Sequence, residues 1–238
     1  MKKKTYFILL AVFLIVFAVS AYKIGNYYWN KHKSDQAIQK AAEYVKIEET
    51  NDEPKLIDVD FKALQEINSD IIAWIYCPDT QISYPVVQGT DNAYYLSHLL
   101  DNSYNVNGTV FMDYRGTPDF SAPNNILYGH HMKSGAMFAP LMQYKEQDYY
   151  DKHPCMYLFT PKQNYRLELF AGVVVETDDA IYGNDISTDA LAQYLSQSTF
   201  TAKEDIKADC PVVTLSTCSY EFENARYVVL ANLIPITE

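Results

Sequence analysis

The sequence predicts a mainly β fold, a closed eight-stranded β-barrel with several inserted and N-terminal helices, and three observations carry that expectation. From about residue 59 onward the chain divides into eight short runs rich in Val, Ile, Tyr, Phe and Leu, separated by turn signals. Helical stretches interrupt these runs without a regular β-α alternation, which disfavours a parallel doubly wound sheet. Tyr is abundant, 21 residues against 8 Gly, and its flat apolar body with a polar tip suits strands and half-wet grooves. A length of 238 residues allows one such core plus appendages, given the usual ~100 to 200 residues per domain. Hydrophobic residues at 48% and charged residues at 21% are ordinary globular usage and exclude wholesale disorder or collagen-like repeats.

The first element is apolar. Met1-Lys2-Lys3-Lys4 precedes an uncharged run over residues 5–22 without Pro or Gly. At ~1.5 Å per residue, such a run spans a bilayer's hydrocarbon core. Residues 1–22 therefore read as a transmembrane signal anchor, with the lysines held in the cytoplasm and everything beyond Lys23 outside the cell. A cleaved signal peptide is the rival reading, since Val19-Ser20-Ala21 offers small residues to a peptidase; the run is longer than a usual h-region. Residues 23–57 are polar, with a weak helical stripe of Trp29, Ile38, Ala41, Ala42 and Val45 that ends before Pro54. They read as a partly helical stalk or linker, a solvated spacer. Residues 58–238 form the barrel domain.

Within that domain the strand expectations are 71–76, 82–87, 108–114, 125–129, 156–160, 165–176, 211–217 and 226–233. The first two flank Pro78-Asp79-Thr80, a turn signal. Helices are expected at 61–68, 92–100, 135–147 and 188–197, the last with apolar Leu191, Ala192 and Leu195. The sequence has no G-x-G-x-x-G, Walker loop, G-x-S-x-G elbow or H-E-x-x-H.

Charge and cysteine usage narrow the function. The chain carries a net −11, but residues 1–57 hold 9 Lys/Arg against 6 Asp/Glu, or +3, and residues 58–238 hold 10 against 24, or −14. A domain at −14 repels a phosphate backbone, so nucleic acid is not an expected partner. Cys77, Cys155, Cys210 and Cys218 have no C-x-x-C spacing, so neither a zinc site nor a thioredoxin-type dithiol is suggested and no cofactor is implied. Two disulfides in one of three pairings, or one reactive thiol with buried companions, both fit four cysteines outside the membrane.

Two places combine strand, turn and reactive side chains. In Tyr128-Gly129-His130-His131-Met132 an apolar strand delivers adjacent histidines to its end. Alternation sends them to opposite faces, so only one serves a given pocket and the pair does not chelate a single metal. His131 reads as a cap on the exit to the following loop. In the second place a strand ends at Cys218 and another begins at Arg226 after a seven-residue connection. If the two strands are antiparallel neighbours, thiol and guanidinium lie close together. Cysteine attacks as a thiolate, which a permanent cation favours, and the same cation can bond the oxyanion of a tetrahedral intermediate. A histidine within reach serves as proton donor to the leaving amine and as base for the incoming nucleophile. A buried small Cys218 and a surface Arg226 are the plainer reading of that pair by itself.

Thr214-Leu215-Ser216-Thr217-Cys218 with Arg226 eight residues on, Tyr128-Gly129-His130 upstream, an amino-terminal anchor and eight strands together resemble a sortase. Sortases are the cysteine transpeptidases that attach surface proteins to the wall of Gram-positive bacteria. The resemblance covers residues 59–238 and is most similar to class B, through the helices before the first strand, Y-G-H-H-M, and a helix-bearing insertion at 177–209. It implies His130 as catalytic histidine, Cys218 as nucleophile and Arg226 as stabilising arginine, with His131 outside the triad. It further implies cleavage after Thr of an N-P-x-T-[NG]-like sorting signal on exported proteins, and transfer of the acyl group to an amine of the lipid-linked peptidoglycan precursor. Arg226 and the backbone N–H following the strand would hold the oxyanion. Candidates for the peptide groove are Asn92, Tyr128, Ile181, Tyr182 and Ser216. Ser219-Tyr220 stands where some class B members carry Asp, so Glu221 and Glu223 are not assigned the role of an acid beside the thiol. A papain-like hydrolase and a non-catalytic wall-binding module are the alternatives from other classes.

Overall fold

The computed structural model describes residues 2–49, 54–207 and 209–236. Eight strands close into one barrel: β3 (Ile71–Tyr76), β4 (Ser83–Val87), β5 (Phe111–Met112), β6 (Asn124–Tyr128), β7 (Cys155–Phe159), β8 (Asn164–Val175), β9 (Val212–Cys218) and β10 (Arg226–Pro235). Around the barrel their order is β10-β8-β7-β3-β4-β5-β6-β9, with β9 returning to β10. The β4–β5 and β6–β9 pairs are parallel and the others antiparallel. All eight expected strands are present, most within a residue or two of their expected ends. The third shrinks from 108–114 to Phe111–Met112.

A period of two sorts the side chains into an interior and an outer face. Val213 and Leu215 of β9, and Tyr227, Val229, Ala231 and Leu233 of β10, fill the barrel with Leu127 of β6. Val228 and Leu230 point the other way, into an outer apolar layer with Ile181, Leu191 and Tyr194 of the β8–β9 insertion. The face that carries Ser216, Cys218 and Arg226 is thus the one the insertion covers. Inside the insertion, α4 (Thr188–Ser196) starts where Ser187 accepts from Ala190 N–H. Asn124, buried at the start of β6, donates to Ile181 O at 2.8 Å and Gly183 O at 2.7 Å, tying the insertion's first turn to the barrel.

The segment before the barrel is more structured than a spacer. A single helix, α1 (Lys2–Ala42), continues the apolar run without interruption. Its amino-terminal part is long and apolar enough to cross a membrane and is unburied, whereas Ser34 and Ala41 near its end are buried against the domain. Asn105 Nδ2 also donates to Asn30 O at 3.0 Å. There follow a two-stranded antiparallel sheet, β1 (Val45–Glu49) with β2 (Pro54–Val59), and α2 (Phe61–Ile67), capped by Asp60. The expected linker is therefore partly strand; its residues 50–53 lie outside the described residues.

Two expected helices are shorter than their patterns. Over 92–100 only a 3-10 turn at Tyr94–Leu96 forms. The neighbouring backbone groups bond to 103–105 instead, Leu99 N–H to Ser103 O and Asn105 N–H to Ser97 O. Over 135–147, Met137 at φ 57° and Gly135 at φ 82° hold left-handed backbone, so regular helix is delayed. A 3-10 run at Ala139–Lys145 leads into α3 (Gln147–Lys152).

Candidate active site

β9 lies between β6 and β10 in the barrel, and that neighbourhood assembles the site. On one side Arg226 pairs directly with Cys218. Ser219 N–H donates to Ala225 O at 3.0 Å, so 219 and 225 form a hydrogen-bonded rung and 218 and 226 the adjacent non-hydrogen-bonded pair. Side chains approach most closely at such pairs. On the other side Tyr128 pairs with Ser216 in the parallel ladder, and the chain runs on through Gly129 to His130. A Cβ on Gly129 would stand 2.6 Å from the Phe138 ring, so only glycine lets the strand exit pass that ring. His130, Cys218 and Arg226 all line one cavity of about 600 Å³.

The three side chains are partly exposed there. His130 Nε2 is 2.8 Å from Leu96 O; a carbonyl only accepts, so Nε2 carries a hydrogen in this arrangement. Arg226 Nη1 donates to Ala225 O at 2.9 Å, which fixes one edge of the guanidinium and leaves further N–H groups to face a ligand. The sequence reading gave the backbone N–H after Cys218 a share in the oxyanion site. That N–H is committed to Ala225 O in this structure, a single hydrogen bond just beyond the last β9–β10 pair, Cys218 with Arg226. His131 lies on the opposite face, beside a different cavity shared with Asp79 and Gln81, as alternation requires.

All four cysteines are free thiols. Cys77 is buried, and burial pushes its thiol up to about 11, which keeps it protonated and inert. Glu221 does not stand in for an acid beside the thiol. It pairs with Lys145 and accepts from Ser219 Oγ, and Lys145 in turn lies 5.2 Å from the centroid of the Tyr227 ring. The acid thereby tethers the 219–225 connection to the run before α3.

Of the groove candidates, Asn92, Tyr128, Tyr182 and Ser216 line the same cavity as His130, Cys218 and Arg226. Ile181 does not: its side chain is fully buried in the outer apolar layer, and its part is to hold the turn that presents Tyr182. Tyr182 and Ser216 share a hydrogen bond of 2.9 Å between their hydroxyls. Burial raises the Tyr182 hydroxyl to about 12, so it stays a neutral donor and acceptor.

The sequence reading missed Asp113, whose carboxylate organises this wall. Its side chain is 1% exposed and accepts from Arg115 Nε and Nη2, both at 2.8 Å, from Asn92 Nδ2 at 2.9 Å and from the Tyr128 hydroxyl at 3.0 Å. Burial alone would raise its pKa, but the bonds from Arg115, Asn92 and Tyr128 outweigh it and hold the carboxyl at about 2. Arg115 also donates to Tyr182 O at 3.0 Å, so one ion pair joins the two sides of the groove. The Asp-x-Arg spacing at a strand end was the available signal; its meaning depends on Asn92 and Tyr128, which only the fold brings there.

Both the sequence and the fold of the chain match known proteins. A family model described as the sortase domain matches residues 75–234. Sortase B of Listeria monocytogenes is 34% identical over 231 residues, 94% of either chain. Among solved structures, the Staphylococcus aureus sortase B–substrate complex aligns with a TM-score of 0.70 at 30% identity, over 74% of this chain and 85% of that one. Sortase B from B. anthracis aligns with a TM-score of 0.74 at 33% identity, over 90% of this chain and the whole of that one. The barrel order, the cavity and these relatives lead to one assignment: the chain belongs to the sortase family of transpeptidases and is most similar to its class B members.

Proposed function

We propose that this protein is a membrane-anchored cysteine transpeptidase that cleaves an N-P-x-T-[NG]-like sorting signal after Thr and joins the acyl group to an amine of the lipid-linked peptidoglycan precursor. The observation that carries the reading is the convergence of His130, Cys218 and Arg226 on one cavity from the adjacent strands β6, β9 and β10. A relative in complex with its substrate shares the fold, which supports a peptide as ligand. The first 22 residues act as the anchor, with the amino terminus in the cytoplasm and residues 58–238 as the exported catalytic domain, joined by the carboxy-terminal half of α1 and the β1–β2 sheet.

In the proposed reaction the Cys218 thiolate adds to the Thr carbonyl carbon. The electron pair displaced onto oxygen meets the free N–H groups of Arg226 in a partly enclosed site, where such bonds are stronger than in water. Collapse of the adduct breaks the C–N bond; His130 gives a proton to the departing amine and a thioester remains. The acceptor amine then adds to the thioester, His130 takes its proton, and the Cys218 thiolate leaves as the new amide forms. Asp113 and Arg115 hold the Tyr128 and Tyr182 walls in place for the peptide. Incubating the chain with a fluorescent N-P-x-T-G peptide and a peptidoglycan stem-peptide amine should yield the ligated product. Hydrolysis alone, or no turnover with any sorting-signal variant, would count against this reading.

A further inference from the structure

The peptide that ends β9 is held at both of its polar groups, and one holder is a side chain outside the catalytic set. Ser219 N–H is bonded to Ala225 O on the β10 side. Cys218 O faces the other side, toward the continuation of β6. There Gly129 N–H donates to Ser216 O at 3.1 Å, and a parallel ladder would place the next rung two residues further on both chains, from the 131 backbone N–H to Cys218 O. The His131 ring supplies that rung instead: its Nδ1 lies 3.0 Å from Cys218 O. The carbonyl only accepts, so Nδ1 carries the hydrogen. The ring is itself confined, tilted against Tyr220 with centroids 5.3 Å apart, while its backbone bridges to Met137.

We propose that His131 is a positioning residue for the transpeptidation, its ring N–H fixing the Cys218 carbonyl and thereby the direction in which the thiol leaves the strand toward His130 and Arg226. It acts from the far face and does not line the cavity that holds the peptide. Its loss should therefore slow the chemical step and leave peptide binding alone, since small misplacements of a reacting group cost rate steeply. Asn is the conservative variant, because its Nδ2 stands at nearly the same place relative to Cβ as the His Nδ1.

The proposal rests on the transpeptidase reading, and its test separates the two. With full-length chain normalised by titration of reactive Cys218, His131→Leu should lower kcat about tenfold or more with KM within about twofold of the parent, and His131→Asn should keep at least about half of kcat. In parallel, the rate at which iodoacetamide alkylates Cys218, which needs no peptide, should shift severalfold in His131→Leu and return to near the parent rate in His131→Asn. A parent chain inactive on peptide would sink the transpeptidase reading while the alkylation rates still decide the role of His131. Unchanged alkylation in His131→Leu, or His131→Asn as impaired as His131→Leu, overturns the proposal.

Discussion

The barrel opens onto two cavities of nearly equal volume at opposite ends, about 600 Å³ where β9 ends and β10 begins, and about 580 Å³ where β9 begins and β10 ends. Each is lined by a partly exposed free cysteine, Cys218 in the first and Cys210 in the second. Size and a thiol therefore do not mark the site. What differs is the company. Cys218 sits between strands that bring His130 and Arg226 to the same cavity, whereas the far cavity is walled largely by apolar groups including Pro118, Phe120, Pro161 and Pro235. A parallel pair on one side of β9 and an antiparallel pair on the other make this possible, because they align the end of β6, the end of β9 and the start of β10.

The comparison breaks most sharply on the two thiols. Cys218→Ala should reduce peptide turnover by at least about 10⁴-fold, the scale seen when a covalent nucleophile is removed, while Cys210→Ala should stay within about twofold. Initial rates with a fluorescent sorting-signal peptide measure both, and equal losses would erase the distinction. Next in size is Arg226→Lys. The charge survives but the planar fork does not, so kcat should fall about 10²-fold, the usual cost of losing an oxyanion donor. Near-parent kcat would leave Arg226 with a structural part only.

A smaller effect sharpens the comparison on the supporting wall. Asp113 has its carboxyl depressed to about 2, so its ionised form contributes stability that is complete above the unfolded carboxyl value near 4 and is lost as pH falls toward 2. That contribution is about 2 kcal/mol at neutral pH. Asp113→Asn should lower Tm at pH 7 and flatten the fall in Tm between pH 4 and pH 2. Parallel Tm curves for parent and variant would mean that the carboxylate is not held by its partners in solution. The smallest effect belongs to Glu221→Gln, which weakens the partly exposed tie to Lys145 and should cost about 0.5 to 1 kcal/mol of stability, with kcat within a few-fold. A loss as deep as that of Arg226→Lys would instead place Glu221 among the reacting groups.

Much of this was legible in the sequence for a physical reason. The barrel strands are β-branched and aromatic runs between turn residues, so local preference and tertiary role agree, as at Val212–Cys218. Pairing of Cys218 with Arg226 followed from a strand, a short connection and a strand. Ile181 misled because a β-branched residue beside Tyr182 reads equally well as groove wall or buried support, and the turn's orientation is set from afar by Asn124. The β1–β2 sheet was hidden by its charges, since Lys46, Glu48 and Glu49 look like linker when read alone. Asp113 carries a local mark in its Asp-x-Arg spacing, but its bonds to Asn92 and Tyr128 join residues 21 and 15 positions away, which that spacing does not report; the occupied Ser219 N–H depends on how the short 219–225 connection closes, which its sequence leaves open.

The most direct measurement is mass spectrometry of the full-length chain after incubation with an N-P-x-T-G peptide and no acceptor amine. The account predicts that the protein gains the mass of the peptide's acyl portion through Thr, that the adduct maps to Cys218, and that a fragment beginning with Gly is released. Intact peptide, an adduct on Cys210, or cleavage that persists in Cys218→Ala would contradict it.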